Sequence, residues 1–241
     1  MSEYLLSTSG LTKQFGHHKA VNNVDLHVKK GAIYGFIGRN GAGKTTFLKM
    51  ISGLSKPTDG EIQMFGYRNE ELKNVRSRIS CLIEAPGIYG NMSAYHNLAI
   101  KCRLFGINDS KYIENILKIV GLSEVGKKKT KHFSLGMKQR LGIGLALVGE
   151  PDLLVLDEPI NGLDPQGIAE IRDMLLRLKE EQNMTIIISS HILEELSKIA
   201  TYYGIIHNGS LIQELTREEL MTRCSERMEL TLDDPKAALP I

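Results

Sequence analysis

An α/β fold built on a parallel sheet is predicted by three features of this 241-residue chain. The first is a continuous apolar run, Leu153-Leu154-Val155-Leu156, of the kind buried on both faces in a parallel sheet. The second is a similar run, Thr185-Ile186-Ile187-Ile188. The third is the segment between them, about Pro165 to Gln182, which sets Ile168, Ile171, Leu175 and Leu178 at helical spacing. Alternation of strand, helix and strand is the mark of that class.

The opening quarter reads as short strands and turns. One strand covers about Ala32 to Ile37, with Gly31 and Gly38 punctuating its ends. It runs through Gly38-Arg39-Asn40-Gly41-Ala42-Gly43-Lys44-Thr45-Thr46 into a helix carrying Phe47, Leu48, Met50 and Ile51, which stops near Gly53. From about Ala85 to Glu150 the character changes. Leu98, Cys102 and Leu104, then Ile113, Ile116, Leu117 and Val120, recur at helical spacing, so this stretch reads as a mostly helical subdomain inserted into the α/β core. The core resumes at Leu153, and its second strand ends at Ser189-Ser190-His191. Near the end, Met228, Leu230 and Leu232 alternate like a strand and Asp233-Asp234-Pro235 reads as a helix start. The expectation is a chain cut short of a further unit.

Composition narrows the function classes. Lys+Arg 30 against Asp+Glu 28 leaves a net charge of +2, which makes no electrostatic case for nucleic acid as a partner. The basic run Lys127-Lys128-Lys129-Thr130-Lys131 is short and reads as a solvated turn. The three cysteines, Cys81, Cys102 and Cys224, form no CxxC pair, so a reducing cytosol is expected. No N-terminal run has signal-peptide order, and no segment approaches the roughly 18 apolar residues of a membrane span. If the protein works at a membrane, another chain spans it.

Gly38 to Thr45 satisfies G-x-x-x-x-G-K-[ST] and sits between a strand and a helix, the context that gives the pattern meaning. Glycines let successive backbone N–H groups face phosphate oxygens, and the helix beyond adds its positive end. Gly38, Asn40, Gly41, Ala42, Gly43, Lys44, Thr45 and Thr46 are the candidate nucleotide contacts, with Lys44 for the β/γ-phosphates and the Thr45 hydroxyl for Mg²⁺. The second half of the site is Asp157-Glu158-Pro159, at the C-terminal edge of a buried strand where open α/β sheets bind ligands. Asp157 can hold Mg²⁺ through its water shell, and Glu158 can orient or deprotonate the attacking water. A water-directing glutamate argues for hydrolysis, hence an ATPase and not a kinase.

With both halves in hand, the chain resembles the ATP-binding subunits of ABC transporters from its N-terminus to about Leu215. The resemblance implies a P-loop NTPase of the RecA-like kind: a parallel-sheet core over 1–84 and 151–215, an N-terminal antiparallel β portion, a helical subdomain over 85–150, and a C-terminal extension over 216–241. It also implies further roles. Phe15 stands where the family sets an aromatic ring against adenine, the alternative being a core phenylalanine. Glu84 stands where most members carry a glutamine that contacts Mg²⁺. Ser134-Leu135-Gly136-Met137-Lys138-Gln139-Arg140 is similar to the signature segment, and Asn161-Gly162-Leu163-Asp164 resembles the dimer-contact loop. His191 matches the switch histidine that senses the γ-phosphate.

The same resemblance implies an ATP-dependent homodimer, or a dimer with a paralogous ATPase, in which Ser134 and Gly136 of one subunit face the nucleotide of the other. Integral-membrane permease subunits are the implied partners, and the implied location is the cytoplasmic face of the cell membrane. The departures, Leu135, Met137 and Glu84, resemble the branch that exports bacitracin or lantibiotics. Two rival readings stand beside it: a soluble ABC-type ATPase acting on DNA or the ribosome, and a nucleotide-gated scaffold without turnover. Pro86-Gly87-Ile88-Tyr89 is either a docking groove for the membrane subunit or a packed loop. His17-His18 lacks a third ligand at useful spacing and reads as a loop.

Overall fold

The computed structural model describes residues 4–223. Its centre is a six-stranded sheet formed by β3 (Ile33–Ile37), β6 (Ile79–Leu82), β7 (Leu153–Asp157), β8 (Thr185–Ser190), β9 (Tyr202–His207) and β10 (Ser210–Thr216), in the spatial order β10-β9-β3-β8-β7-β6. All pairings are parallel except that of β9 with β10. Beside it lies an antiparallel sheet of β1 (Tyr4–Phe15), β2 (His18–Lys29), β4 (Asp59–Met64) and β5 (Tyr67–Arg68), in the order β2-β1-β4-β5. The N-terminal strands are therefore long, 12 residues each, and not the short strands expected. Shifts of register along β1 let these long strands bend around the core.

The pattern of burial follows from the period of two along each strand. In β7, Leu154 and Leu156 join the core shared with the helices, whereas Leu153 and Val155 face the core under the antiparallel sheet. In β8, Ile186 and Ile188 go one way and Ile187 the other. Both faces of the sheet are covered, which is why these strands are apolar throughout. The helix α1 (Lys44–Ile51) buries Phe47, Leu48, Met50 and Ile51 in the core under the antiparallel sheet, and ends at Ser52 and the left-handed Gly53.

The middle of the chain holds α2 (Ala94–Leu104), α3 (Ser110–Ile119) and α4 (Leu135–Leu147), capped by Ser93, Asp109 and Ser134 respectively. Leu98, Cys102, Ile113, Ile116, Leu117 and Val120 are buried there, but Leu104, expected on the same face, is 79% exposed. It follows Cys102 by two residues, about 200° around the helix, and so points away from the face that Leu98 and Cys102 bury. The helix α5 (Pro165–Gln182) matches the sequence expectation at both ends. Asp164 caps it by accepting from Gly167 N at 3.1 Å, Pro165 opens it, and the left-handed Asn183 closes it. The expected strand and helix start at 228–235 lie outside the described residues.

Candidate functional site

The phosphate-loop candidate leaves the C-terminal edge of β3 and enters α1. Gly43 has φ 104°, and a β-carbon there would collide with the carbonyl of Ala20 on β2, so only glycine lets the loop pass. Gly38 is equally confined, because a β-carbon would lie 2.6 Å from the Ile206 carbonyl. No side chain caps the first turn of α1 and no acid lies in it, which leaves its N–H groups and positive end available to phosphate. Asn40 and Gly41 are exposed on the loop, Ala42 is buried beneath it, and Thr46 is partly buried on the first turn.

Parallel pairing brings the acidic strand tip to the same place. Asp157 is the register partner of Ser189 on β8, and β8 is the neighbour of β3. The Asp157 carboxylate is buried and held from two sides. Thr45 Oγ1 donates to its Oδ2 at 2.6 Å, and Ser189 Oγ donates to its Oδ1 at 2.5 Å. The same Ser189 hydroxyl accepts from Glu158 N at 2.9 Å. Glu158 takes the left-handed conformation, φ 49°, uncommon for a residue with a side chain.

The Glu158 carboxylate bridges two candidates. Its Oε2 lies 2.9 Å from His191 Nδ1, and its Oε1 lies 3.1 Å from Lys44 Nζ. That second approach is an ion pair without hydrogen-bond alignment, so Oε1 is a buried oxygen lacking an aligned donor. Such an oxygen is open to accept from water. Lys44 is only 5% exposed, and its ammonium also donates to the carbonyls of Gly38 at 2.6 Å and Arg39 at 3.2 Å. Lys44, Thr45, Asp157, Glu158 and His191 thus form one connected cluster, which also contains Ser189, a residue that sequence reasoning treated only as a strand end.

Other candidates stand apart from this cluster. Phe15 is 56% exposed with Lys13 Nζ 5.1 Å from its ring centroid, so the core-phenylalanine alternative is excluded. The β1–β2 hairpin that carries it also places Ala20 against the phosphate loop. Glu84 has φ 66°, and its carboxylate pairs with Lys49 Nζ at 2.6 Å. Ser134 caps α4, accepting from Met137 N at 3.2 Å, and Leu135 and Gly136 lie against Gly162 and Leu163 of the expected dimer-contact loop. Tyr89 is 57% exposed at a groove of about 310 Å³ between the central sheet and α2 and α4. The backbone of Tyr89 is fixed by Asn97 and Thr130, so that segment is both packed and partly open. Among the described residues no helix is long and apolar enough to cross a membrane, and no group of three His, Cys, Asp or Glu side chains forms a metal cage.

Comparison with known proteins agrees with this geometry. The family model described as ABC transporter matches residues 21–161, more than half of the chain. The chain is 47% identical over 240 residues to the bacitracin transport ATP-binding protein BcrA of Enterococcus faecalis, covering 99% of this chain and 78% of that protein. It is 43% identical over 210 residues to the lantibiotic transport ATP-binding protein SrtF of Streptococcus pyogenes, covering 87% and 90%. Among solved structures, a nucleotide-free ATP-binding cassette from an ABC transporter superposes with a TM-score of 0.81 at 27% identity, covering 92% of this chain and 96% of the other.

Proposed function

The chain belongs to the ABC transporter family as an ATP-binding, ATP-hydrolysing subunit, and we propose that it powers export of a peptide antibiotic through separate integral-membrane subunits. The observation that carries the ATPase chemistry is the single cluster joining Lys44 and Thr45 to Asp157, Glu158 and His191. The relatives named for bacitracin and lantibiotic transport support the class of cargo.

In this reading the backbone of Gly38 to Thr45 wraps the phosphates, and the Lys44 ammonium exchanges its contact with Glu158 for the β- and γ-phosphate oxygens. Thr45 and Asp157, already joined by a hydrogen bond, are the residues that would hold Mg²⁺, with Glu84 as a third. Bound there, the ion would neutralise charge building on the phosphate oxygens. Glu158 takes the proton of the attacking water, and His191 holds the far oxygen of that carboxylate in place. Phe15 offers an exposed ring to adenine.

Two copies meeting head to tail would present Ser134 and Gly136, at the start of α4, to the partner's γ-phosphate. ATP then holds the copies together and hydrolysis releases them, so a membrane partner seated near Tyr89 is moved by the difference in binding energy. In this reading the chain works at the cytoplasmic face of the membrane. The test is co-expression with a candidate integral-membrane subunit, such as a protein of about six apolar spans encoded in a neighbouring reading frame if one is found. The chain should co-purify with that protein in detergent and raise the tolerance of cells to bacitracin or a lantibiotic. Tolerance equal to that of cells carrying Glu158→Gln would refute the assignment to antibiotic export.

A further inference from the structure

Three carboxylates end two neighbouring strands, and α1 meets each of them with a different side chain. Thr45 donates to Asp157, Lys44 pairs with Glu158, and Lys49 pairs with Glu84. The register explains the third contact. Strand β6 runs parallel to β7 with Leu82 opposite Leu156, and Glu84 and Glu158 each follow that pair by two residues, so both come at the C-terminal edge of the sheet. Both glutamates leave their strands in the left-handed conformation, φ 66° and 49°. On α1, Lys49 follows Thr45 by four residues and therefore lies on the same face, one turn further from the phosphate loop.

We propose that Lys49 is a positioning residue for Glu84. Its ammonium, 2.6 Å from Glu84 Oε1, holds that carboxylate at the flank of the metal side of the site and offsets the negative charge a glutamate brings there. The inference rests on the reading of Glu84 as a metal-side residue. Asp157 and Glu158 already carry two negative charges at the adjoining tip. A third, uncompensated, would hold a divalent cation more tightly and would hinder metal release at each turnover. Lys49 lets an acid occupy the position without that excess.

The experiment measures binding of a non-hydrolysable ATP analogue to the full chain while Mg²⁺ is titrated, so the readout is the half-saturating metal concentration and not turnover. Lys49→Gln and Lys49→Met keep the aliphatic stem and remove the charge. Each should lower the half-saturating Mg²⁺ by about three- to tenfold, the scale of one unit charge several ångströms away near a protein surface. Lys49→Arg keeps the charge and should stay within about twofold of the parent, while Lys49→Gln introduced together with Glu84→Gln should add less than about twofold to Glu84→Gln alone. Nucleotide-free thermal unfolding checks that each variant folds. An equal shift from Lys49→Gln with and without Glu84→Gln, or no shift from it at all, would overturn the positioning role. An unchanged metal titration for Glu84→Gln alone would instead remove Glu84 from the metal side and take the underlying reading with it.

Discussion

The ammonium of Lys44 lies 3.1 Å from one carboxylate oxygen of Glu158, whose other oxygen lies 2.9 Å from the imidazole of His191. On the roles proposed above, the cation for phosphate and the base for water are in contact. An arriving γ-phosphate would then offer Lys44 a stronger set of anions and leave Glu158 to His191, coupling the binding of substrate to release of the base.

Ser189 supports both acids, donating to Asp157 at 2.5 Å and accepting from the backbone of Glu158 at 2.9 Å. Ser189→Ala should lower kcat by about tenfold, the scale of a hydrogen bond to a charged group, with ATP affinity nearly unchanged. Single-turnover kinetics separates the two. A fall in affinity with kcat intact would place Ser189 in nucleotide binding instead.

Phe15 contributes nothing to the core, being 56% exposed. Phe15→Ala should weaken ATP binding by about 1–3 kcal/mol, the range for a base stacked on a ring, and leave thermal stability unchanged. Phe15→Tyr should bind as the parent does. Binding of inorganic triphosphate, which lacks the whole nucleoside, should be unchanged by Phe15→Ala, which checks that the loss belongs to the adenosine end of ATP.

Gly136 has room around it: a β-carbon would meet only Leu163 Cδ2, at 3.8 Å, and its φ is outside the left-handed region. It lies in the first turn of α4, where an acid suits the helix dipole. Gly136→Asp should therefore fold normally and bind ATP as a monomer, yet fail to form the ATP-dependent dimer and lose at least about tenfold in hydrolysis, because its charge would oppose the partner's γ-phosphate. Sedimentation with the non-hydrolysing variant Glu158→Gln as parent reads the dimer directly.

Tyr34, 1% exposed on β3, donates to Glu214 Oε1 at 2.7 Å, and the same carboxylate holds His27 of β2. Burial first, then the charge of Glu214, pushes the phenol pKa well above its usual value. The neutral phenol is thus favoured in the folded state, so its stabilisation is complete below the unfolded value near about 10 and is lost as pH rises beyond it. Tyr34→Phe should lower Tm modestly at pH 7 and flatten its decline above pH ~10, as followed by circular dichroism.

The parallel core was legible because its strands are apolar on both faces, and α5 because Ile168, Ile171, Leu175 and Leu178 recur at helical spacing between Pro165 and Gln182. Motif spacing likewise nominated Lys44, Thr45, Asp157 and Glu158, the family resemblance added His191, and the fold brings all five together. The hairpin of β9 and β10 was missed although Asn208-Gly209, with φ 47° and 80°, is a recognisable two-residue turn signal. Its strands are half-buried and mix Tyr, Gly and His, so they lack the apolar run that revealed β7. Ser189 and Lys49 could not be found from the sequence at all. Their roles come from the pairing of β8 with β7 and of β6 with β7, and pairing order is a long-range property with no local signal.

The most direct test of the site is phosphate release at saturating Mg-ATP by concentrated wild-type protein against Glu158→Gln, with ATP binding measured on both. Both proteins should bind ATP, and the wild type should hydrolyse it faster by about two orders of magnitude or more, as expected for a positioned acid–base group. Equal rates would contradict the account, since the carboxylate between Lys44 and His191 would then have no part in breaking the terminal bond.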